Sequence, residues 1–283
     1  MEENVLFEKY YSELNSLRFH FDVLDSTQLY CKRNMQLFIE TGKLKEDNMI
    51  IVSCNSQTNG IGTRDTKKNI NRLWLSKEGN IFTTFVFLWN KDDLNKVSCL
   101  AQTSTVAISK TLEHFHLMTQ IKWINDVLIN YKKVSGCLVN LYHFDDDILS
   151  KKYVCIMVGV GINVNLRDDK NILNNNYTSI KKELEHYFDA PSCIPSVEDI
   201  MQKLIENFHA CIHKLQNEGF STFLEYIKMR LLYNEKKVLI DQDNRQIVGY
   251  LKGLLDDGSI LLLNEKNQII NVNNGHLYLN ESS

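Results

Sequence analysis

Only two prolines occur in 283 residues, and the twelve glycines fall short of the roughly 20 that average usage would supply. Collagen-like and proline-rich disordered classes are excluded. No stretch approaches the ~20 apolar residues of a membrane-crossing helix, so no membrane partner is expected. The start, MEENVLFEKYYSEL, lacks a signal peptide's apolar core and a transit peptide's Arg/Ser-rich, acid-poor character. A cytoplasmic location is the default expectation. No C-x-x-C occurs among the seven cysteines, Cys31, Cys54, Cys99, Cys137, Cys155, Cys193 and Cys211. Their scatter through apolar stretches reads as reduced core thiols, with no tightly bound structural metal. An excess of positive charge is missing too: the net charge of −3 argues against gripping DNA through phosphates over a broad face.

With 43% hydrophobic residues the chain can bury a sizeable core, and its length suits one large domain with a small appendage. The densest information lies in residues 122–140, KWINDVLINYKKVSGCLVN. Strand formers on both sides of Asn130-Tyr131-Lys132 predict a hairpin, with Lys122, Asn125 and Asp126 before the turn and Lys133 after it. Ser135-Gly136 would let a ligand lie against the backbone while the Lys133 ammonium reaches its carboxylate or phosphate. A plain surface hairpin with solvated lysines is the competing reading. Cys137, beside Lys133, is a weaker candidate nucleophile, because no histidine lies nearer in sequence than His143.

Other segments tip the balance towards a ligand site. Residues 153–165 form an apolar strand ending in Gly159-Val160-Gly161-Ile162-Asn163, where the glycines describe a backbone pressed against something flat or bulky. Arg64, Lys67, Lys68, Arg72 and Lys77 concentrate positive charge suited to a small polyanion. Asp25 or Ser26 can cap a helix from Gln28 to Glu40, leaving amides beside the Ser26 and Thr27 hydroxyls. The first strand is expected at 18–24, a second at 49–55, then a long polar loop through 57–80 with Gly60 and Gly62, and a strand at 81–89. An amphipathic helix is predicted over 94–115, a strand at 119–129 pairing with 134–143, a strand at 153–164, and an irregular segment, 167–195, with a short helix at 179–188. Ser196-Val197-Glu198-Asp199 approximates a capping box for a long helix broken at Gly219, followed by a second helix over 220–232. From 235 the pattern alternates in short strands, with Asp257-Gly258 a hairpin signal. The expected domains are therefore 1–233 and 234–283.

Taken in order, the hydroxyl pair, the Gln-led glycine loop, K-W-x-N-D, K-V-S-G and G-V-G-I-N resemble the biotin protein ligases, the holocarboxylase synthetases, over about 18–280. The resemblance implies an α/β (α+β) fold like that of class II aminoacyl-tRNA synthetases: a mixed, mainly antiparallel sheet with helices chiefly on one face, plus a small C-terminal SH3-like β-barrel. It implies ATP and Mg²⁺ as co-substrate and ion, biotin as substrate, and a biotin carboxyl carrier domain, that of acetyl-CoA carboxylase first, as acceptor. Homodimerisation is left open. With the first strand at Arg18 no DNA-binding helix-turn-helix is expected before it.

Carried across residue by residue, Ser26, Thr27 and Gln28 match the family's S-T-N biotin segment, with Gln for Asn. Gln57 matches the residue that hydrogen-bonds the ureido ring, and Gly60, Ile61, Gly62 and Thr63 the loop over the ligand. Trp74, Asn125 and Asn163 fall to the nucleotide. Lys133 matches the lysine at biotin's carboxyl and the α-phosphate, next to Gly136. Lys122 and Asp126 match K-W-P-N-D, in which Ile124 replaces the proline. Ile61 and Thr63 stand where the bacterial loop carries arginines, so Arg64, helped by Lys67 or Lys68, is expected to supply the phosphate contacts. Lipoate–protein ligase is the nearest rival, although its Arg-Arg-x-Ser-Gly-Gly-Gly type loop is absent; a non-catalytic module docking carrier proteins is a rival of a different class.

Overall fold

One parallel strand pair inside an otherwise antiparallel sheet dictates where the first helix goes. The computed structural model describes residues 4–65, 70–143, 149–166, 176–187, 194–242 and 245–280, with backbone alone at 64, 65 and 70–72. Strands β1 (Val5–Tyr11) and β2 (Ser16–Leu24) form a hairpin. β2 then pairs in parallel with β3 (Met49–Gln57), a connection that needs a crossover. Helix α1 (Thr27–Glu40) supplies it. Ser26 is its N-cap residue, but through the backbone: its carbonyl accepts the Tyr30 amide at 2.9 Å, and its side chain makes no capping bond.

After β3 come the ribbon β4 (Ile61–Asp65) and β5 (Ile70–Leu73), then β6 (Ile81–Asn90), helix α2 (Leu100–His114), β7 (Gln120–Lys122), β8 (Asp126–Ile129), β9 (Lys132–Tyr142), a short helix α3 (Leu149–Lys152) and β10 (Tyr153–Ile162). The eight-stranded sheet runs β1-β2-β3-β6-β10-β9-β8-β7. Its centre is covered on both sides, so β6 is buried along Ile81–Trp89 without alternation. Phe82, Val86 and Leu88 point to α1, packing with Cys31, Met35 and Phe38. Ile81, Phe85, Phe87 and Trp89 point the other way, towards α2 and α5 (Val197–Glu218). Each such buried Phe or Ile contributes about 1.5–3 kcal/mol of transfer free energy.

α2 is wrapped by the sheet and by α5, so it is buried on most sides rather than amphipathic, and the expected stretch before it, residues 91–99, is a 3-10 segment. The capping box of α5 forms as expected: the Ser196 hydroxyl accepts the Asp199 amide, and the Asp199 carboxylate accepts the Ser196 amide. Buried Arg18 ties this helix start to the sheet, donating to both Glu198 oxygens at 2.7 and 2.8 Å.

Several local expectations need correction. β1 precedes the expected first strand; six of its seven residues are exposed, so it carries no burial periodicity to read. The supposed loop at 57–80 contains the β4–β5 ribbon. The supposed single strand at 119–129 is two strands folded back on each other, with Lys122 opposite Asp126. The second helix after Gly219 is a 3-10 turn (Phe220–Phe223) and α6 (Leu224–Lys228). It stops because the next residues pair with β7: the Ile121 amide donates to the Arg230 carbonyl, and the Leu232 amide to the Ile121 carbonyl, both at 2.8 Å. A helix α4 (Ile180–Tyr187) lies where a short one was expected.

The C-terminal strands, β11 (Lys237–Gln242), β12 (Arg245–Leu254), β13 (Ile260–Leu263), β14 (Ile269–Val272) and β15 (His276–Leu279), form a five-stranded antiparallel sheet in the order β14-β13-β12-β11-β15. The Asp257-Gly258 hairpin forms, with Gly258 at φ +79°. It also docks: the Gly258 carbonyl accepts from Gln102 Nε2 at 2.8 Å and from Trp123 Nε1 at 3.1 Å. The apolar core continues through this contact, since Val238, Ile240, Leu251 and Leu262 belong to the same cluster as α2 and α5. Among the described residues no helix is long and apolar enough to cross a membrane.

The capping box sets a stability expectation. Ser196→Ala removes an acceptor from the first turn of α5 and should lower the unfolding free energy by about 1 kcal/mol, read as a shifted urea midpoint with an unchanged slope.

Candidate functional site

Lys133 owes its aim to an irregularity in a hairpin. β8 and β9 are joined by Asn130 and Tyr131, both with positive φ (50° and 63°), a geometry matched to strand twist. Beyond the turn Leu128 faces Lys133, but Val127 faces Ser135, leaving Val134 as an extra residue. This β-bulge turns the strand. The backbone groups around it find partners outside the hairpin. The Lys133 amide donates to the Asn176 carbonyl (2.8 Å), the Thr178 amide to the Lys133 carbonyl (3.0 Å), and the Asn163 amide to the Val134 carbonyl (2.8 Å).

The Lys133 ammonium lies 2.6 Å from Asp126 Oδ1, with both side chains about three-quarters screened from solvent (24% and 22% exposed). It also sits 5.1 Å from the centre of the Trp74 ring. A Cβ on Gly136 would fall 3.1 Å from Lys133 Nζ and 3.2 Å from Asp126 Oδ1. The ion pair thus rests directly on the β9 backbone, where the sequence suggests room for a ligand.

Two hollows meet at this lysine. The first is lined by Ser26, Thr27, Gln28, Gln57, Ile61, Gly62, Thr63, Trp74, Asn125, Lys133 and Gly136, together with Cys137, Leu138 and the Gly159–Gly161 strand end. Its floor is a hydrogen-bond chain. Gln57 Oε1 accepts the Thr27 amide at 2.9 Å, Gln57 Nε2 donates to Ser76 Oγ at 2.7 Å, and Ser76 Oγ donates to the Trp74 carbonyl at 2.9 Å. Gln28 reaches across to β9, donating to the Leu138 carbonyl at 2.9 Å and accepting from Asn140 Nδ2 at 3.1 Å. The flat object against Gly161 is the Trp74 indole, whose Cε2 would stand 2.5 Å from an added Cβ. Trp74 Nε1 is buried and has no hydrogen-bond partner, an unmet donor at the wall of the hollow.

The second hollow shares Gly62, Thr63, Trp74, Asn125 and Lys133 with the first and adds Lys122, Asp126, Tyr177 and, from the C-terminal sheet, Asp241, His276 and Tyr278. The Lys122 ammonium lies 5.2 Å from the Tyr278 ring centre. Asn125 is fixed between the hollows, its Nδ2 donating to the Cys137 carbonyl at 2.6 Å. The C-terminal contributors and Ser76 were not anticipated. Only the docking of the C-terminal sheet brings Asp241, His276 and Tyr278 there, whereas Ser76 is held locally by Gln57 and the Trp74 carbonyl.

Other expected residues stand apart. Gly60 lines neither hollow; its carbonyl accepts the Trp74 amide at 2.9 Å, which closes the base of the ribbon. Asn163 is 4% exposed and also lines neither, its Nδ2 donating to the Thr178 carbonyl at 3.1 Å. The Arg64 backbone lies in β4 opposite Asn71; its side chain, Lys67 and Lys68 lie outside the described residues, as does Cys193. Cys137 is buried, donates to the Ala101 carbonyl at 3.4 Å, and has its thiol pushed up to about 12, chiefly by burial and further by Asp126. It stays a thiol at neutral pH, which removes it as a nucleophile. The remaining described cysteines are likewise buried and unpaired.

With this geometry in place, residues 21–163 match the model of the biotin/lipoate A/B protein ligase family. The chain belongs to that family. Among similar members, the bifunctional ligase/repressor BirA of Bacillus spizizenii is 33% identical over 120 residues, covering 42% of this chain and 34% of that protein. BirA of Bacillus subtilis is 31% identical over 147 residues, covering 52% and 40%. The matches thus span well under half of these relatives' length. The solved biotin protein ligase of Aquifex aeolicus, in complex with biotin and ATP, aligns with a TM-score of 0.71 at 25% identity, covering 94% of this chain and 99% of that one.

The contact of Trp74 with Gly161 yields a test independent of activity. In Gly161→Ala the added methyl displaces the indole, whereas Trp89 and Trp123 stay buried at 1% and 2% exposure. Acrylamide should then quench the tryptophan fluorescence more strongly than in the unsubstituted protein, where Trp74 is only partly exposed.

Proposed function

We propose that this ligase-family member activates biotin with ATP and transfers it to a lysine of a biotin carboxyl carrier domain. The observation carrying this reading is that the two hollows share the Lys133 ammonium. A carboxylate and a triphosphate repel each other, so a cation held between them is what the first half-reaction requires. In that step a biotin carboxylate oxygen attacks the α-phosphorus of ATP and pyrophosphate leaves, giving biotinyl-AMP. In the second, the acceptor lysine's amine attacks the acyl carbon and AMP departs.

In this reading the first hollow takes biotin. Gln57 offers its amide to the ureido group, alongside Ser26, Thr27 and Gln28, under the strand of Ile61, Gly62 and Thr63. The nucleotide takes the second hollow, beside Trp74, Asn125 and Lys122, and Arg64 supplies phosphate contacts in place of the missing loop arginines. Asn163 acts through the backbone it holds. Among the described residues no group of three metal-ligating side chains comes together. A Mg²⁺ carried by the phosphates with Asp126 as its protein carboxylate fits that donor set, since Mg²⁺ is commonly held by one or two carboxylates plus phosphate oxygens. When bound it neutralises phosphate charge. The acceptor we name is the carrier domain of acetyl-CoA carboxylase, and the cytoplasm the compartment. Full-length overlap with the Aquifex biotin ligase, C-terminal sheet included, favours biotin over lipoate.

Incubation of the protein with Mg-ATP, an apo carrier domain and either biotin or lipoate, followed by intact-mass analysis, tests the reading. A mass gain with biotin is expected, falling at least about a hundredfold in rate with Lys133→Ala. A gain with lipoate alone, or with neither acid, overturns it. The loop assignment has its own readout: Arg64→Ala should slow biotin-dependent ATP–pyrophosphate exchange and speed release of biotinyl-AMP, and wild-type values for both would remove Arg64 from the site.

A further inference from the structure

We propose that Glu183 is a positioning residue for Lys133: a buried carboxylate that locks the bulged hairpin to the 176–178 segment bracketing the lysine's backbone. Glu183 is 6% exposed, and among the described residues it makes no ion pair. A carboxylate removed from water without a cation needs hydrogen bonds to both oxygens, and it has them. The Thr178 hydroxyl donates to one oxygen, and Asn130 Nδ2 donates to the other at 2.7 Å. These two partners belong to different segments. Asn130 is the first turn residue of the β8–β9 hairpin, three residues before Lys133; Thr178 belongs to the segment whose backbone brackets Lys133 on both sides.

The connection does more than cap α4. That helix start already has a local contact, the Lys182 amide donating to Ser179 Oγ at 3.3 Å. The bond to Asn130 reaches out of the helix to the hairpin and contributes nothing to a cap. Asn163 completes the frame, donating through Nδ2 to the Thr178 carbonyl while its own carbonyl accepts the Ile180 amide at 2.9 Å. The bulge supplies the curvature that aims the ammonium, and the Glu183 carboxylate keeps the bulge in register with the 176–178 segment. Small displacements of a group that must meet developing charge are expensive, a ~1 Å error costing about a hundredfold in rate.

The activity arm of the test rests on the biotin-ligase reading; the exchange arm does not. Three variants separate positioning from folding. Glu183→Gln keeps an acceptor for Asn130 and a donor for Thr178, and so should restore function. Glu183→Leu removes both bonds. Asn130→Gly removes the hairpin arm and leaves the Thr178 arm, while tolerating the positive φ of the turn. The first readout is amide hydrogen exchange at Lys133 and Thr178. Asn130→Gly and Glu183→Leu should accelerate it locally by about tenfold or more, leaving β6 and β10 protected, and Glu183→Gln should not. The second is biotin-dependent adenylate formation, in which kcat should fall about tenfold or more with a smaller change in biotin KM, again restored by Glu183→Gln.

Unchanged exchange at Lys133 in Asn130→Gly overturns the proposal, as does acceleration spread over the whole sheet. Should Glu183→Leu fail to fold, Asn130→Gly decides alone. If the unsubstituted protein activates no acid, the functional reading falls, while local exchange at Lys133 still supports or overturns the clamp.

Discussion

One extra residue in one hairpin organises the site. Because Val134 has no counterpart on β8, the strand swings and Lys133 faces the junction of two hollows instead of the regular sheet surface. The Lys133 amide and carbonyl and the Val134 carbonyl find their partners outside the β8–β9 pair, as buried backbone groups must. They are met by residues 163 and 176–178. The later part of the chain is thereby joined to the hairpin through backbone hydrogen bonds at the bulge.

Around this irregular element the rest of the molecule is regular and stiff. The central strands β6 and β10 are covered on both faces, by α1 on one side and by α2 and α5 on the other. Their rigidity matters because the walls of the first hollow are drawn from them and from α1. Thr84 on β6 donates to the Thr27 hydroxyl at 2.9 Å, so the start of α1 is fixed to the sheet at the point where its residues line the cavity. The C-terminal sheet is joined to the same core and closes the far wall of the second hollow.

The legible parts of this structure were those with short-range signals. The capping box at Ser196, the hairpin at Asp257-Gly258 and the alternating strands after 235 each announce themselves within a few residues, and each formed. The cluster at 122–140 was legible as chemistry, and its lysine and aspartate do meet. Its geometry was not: the strand formers on either side masked the reversal at 123–125, although Asn125 and Asp126 are turn-forming residues, and Trp123 at that reversal docks against the C-terminal hairpin, its Nε1 donating to the Gly258 carbonyl. β1 escaped notice for the opposite reason, having strand-forming residues but no buried face. Gly161 was correctly read as close packing, yet its partner, Trp74, lies far away in sequence. Asn163, matched to the nucleotide by the family resemblance, is buried, and its amide braces the Thr178 carbonyl, a long-range contact that no local pattern announces.

The contact between Lys133 and Asp126 has a further consequence for what the site admits. The ammonium already has a counter-ion at 2.6 Å in a largely screened position, so arrival of an anion is a swap of partners and not a simple capture. A visitor that takes the lysine and offers nothing in return strands a half-desolvated aspartate, at considerable electrostatic cost. Guests that bring compensation for that carboxylate, as a cation travelling with them or a donor group of their own, escape this toll. The aspartate thereby acts as a filter, turning away lone small anions that a bare lysine would retain.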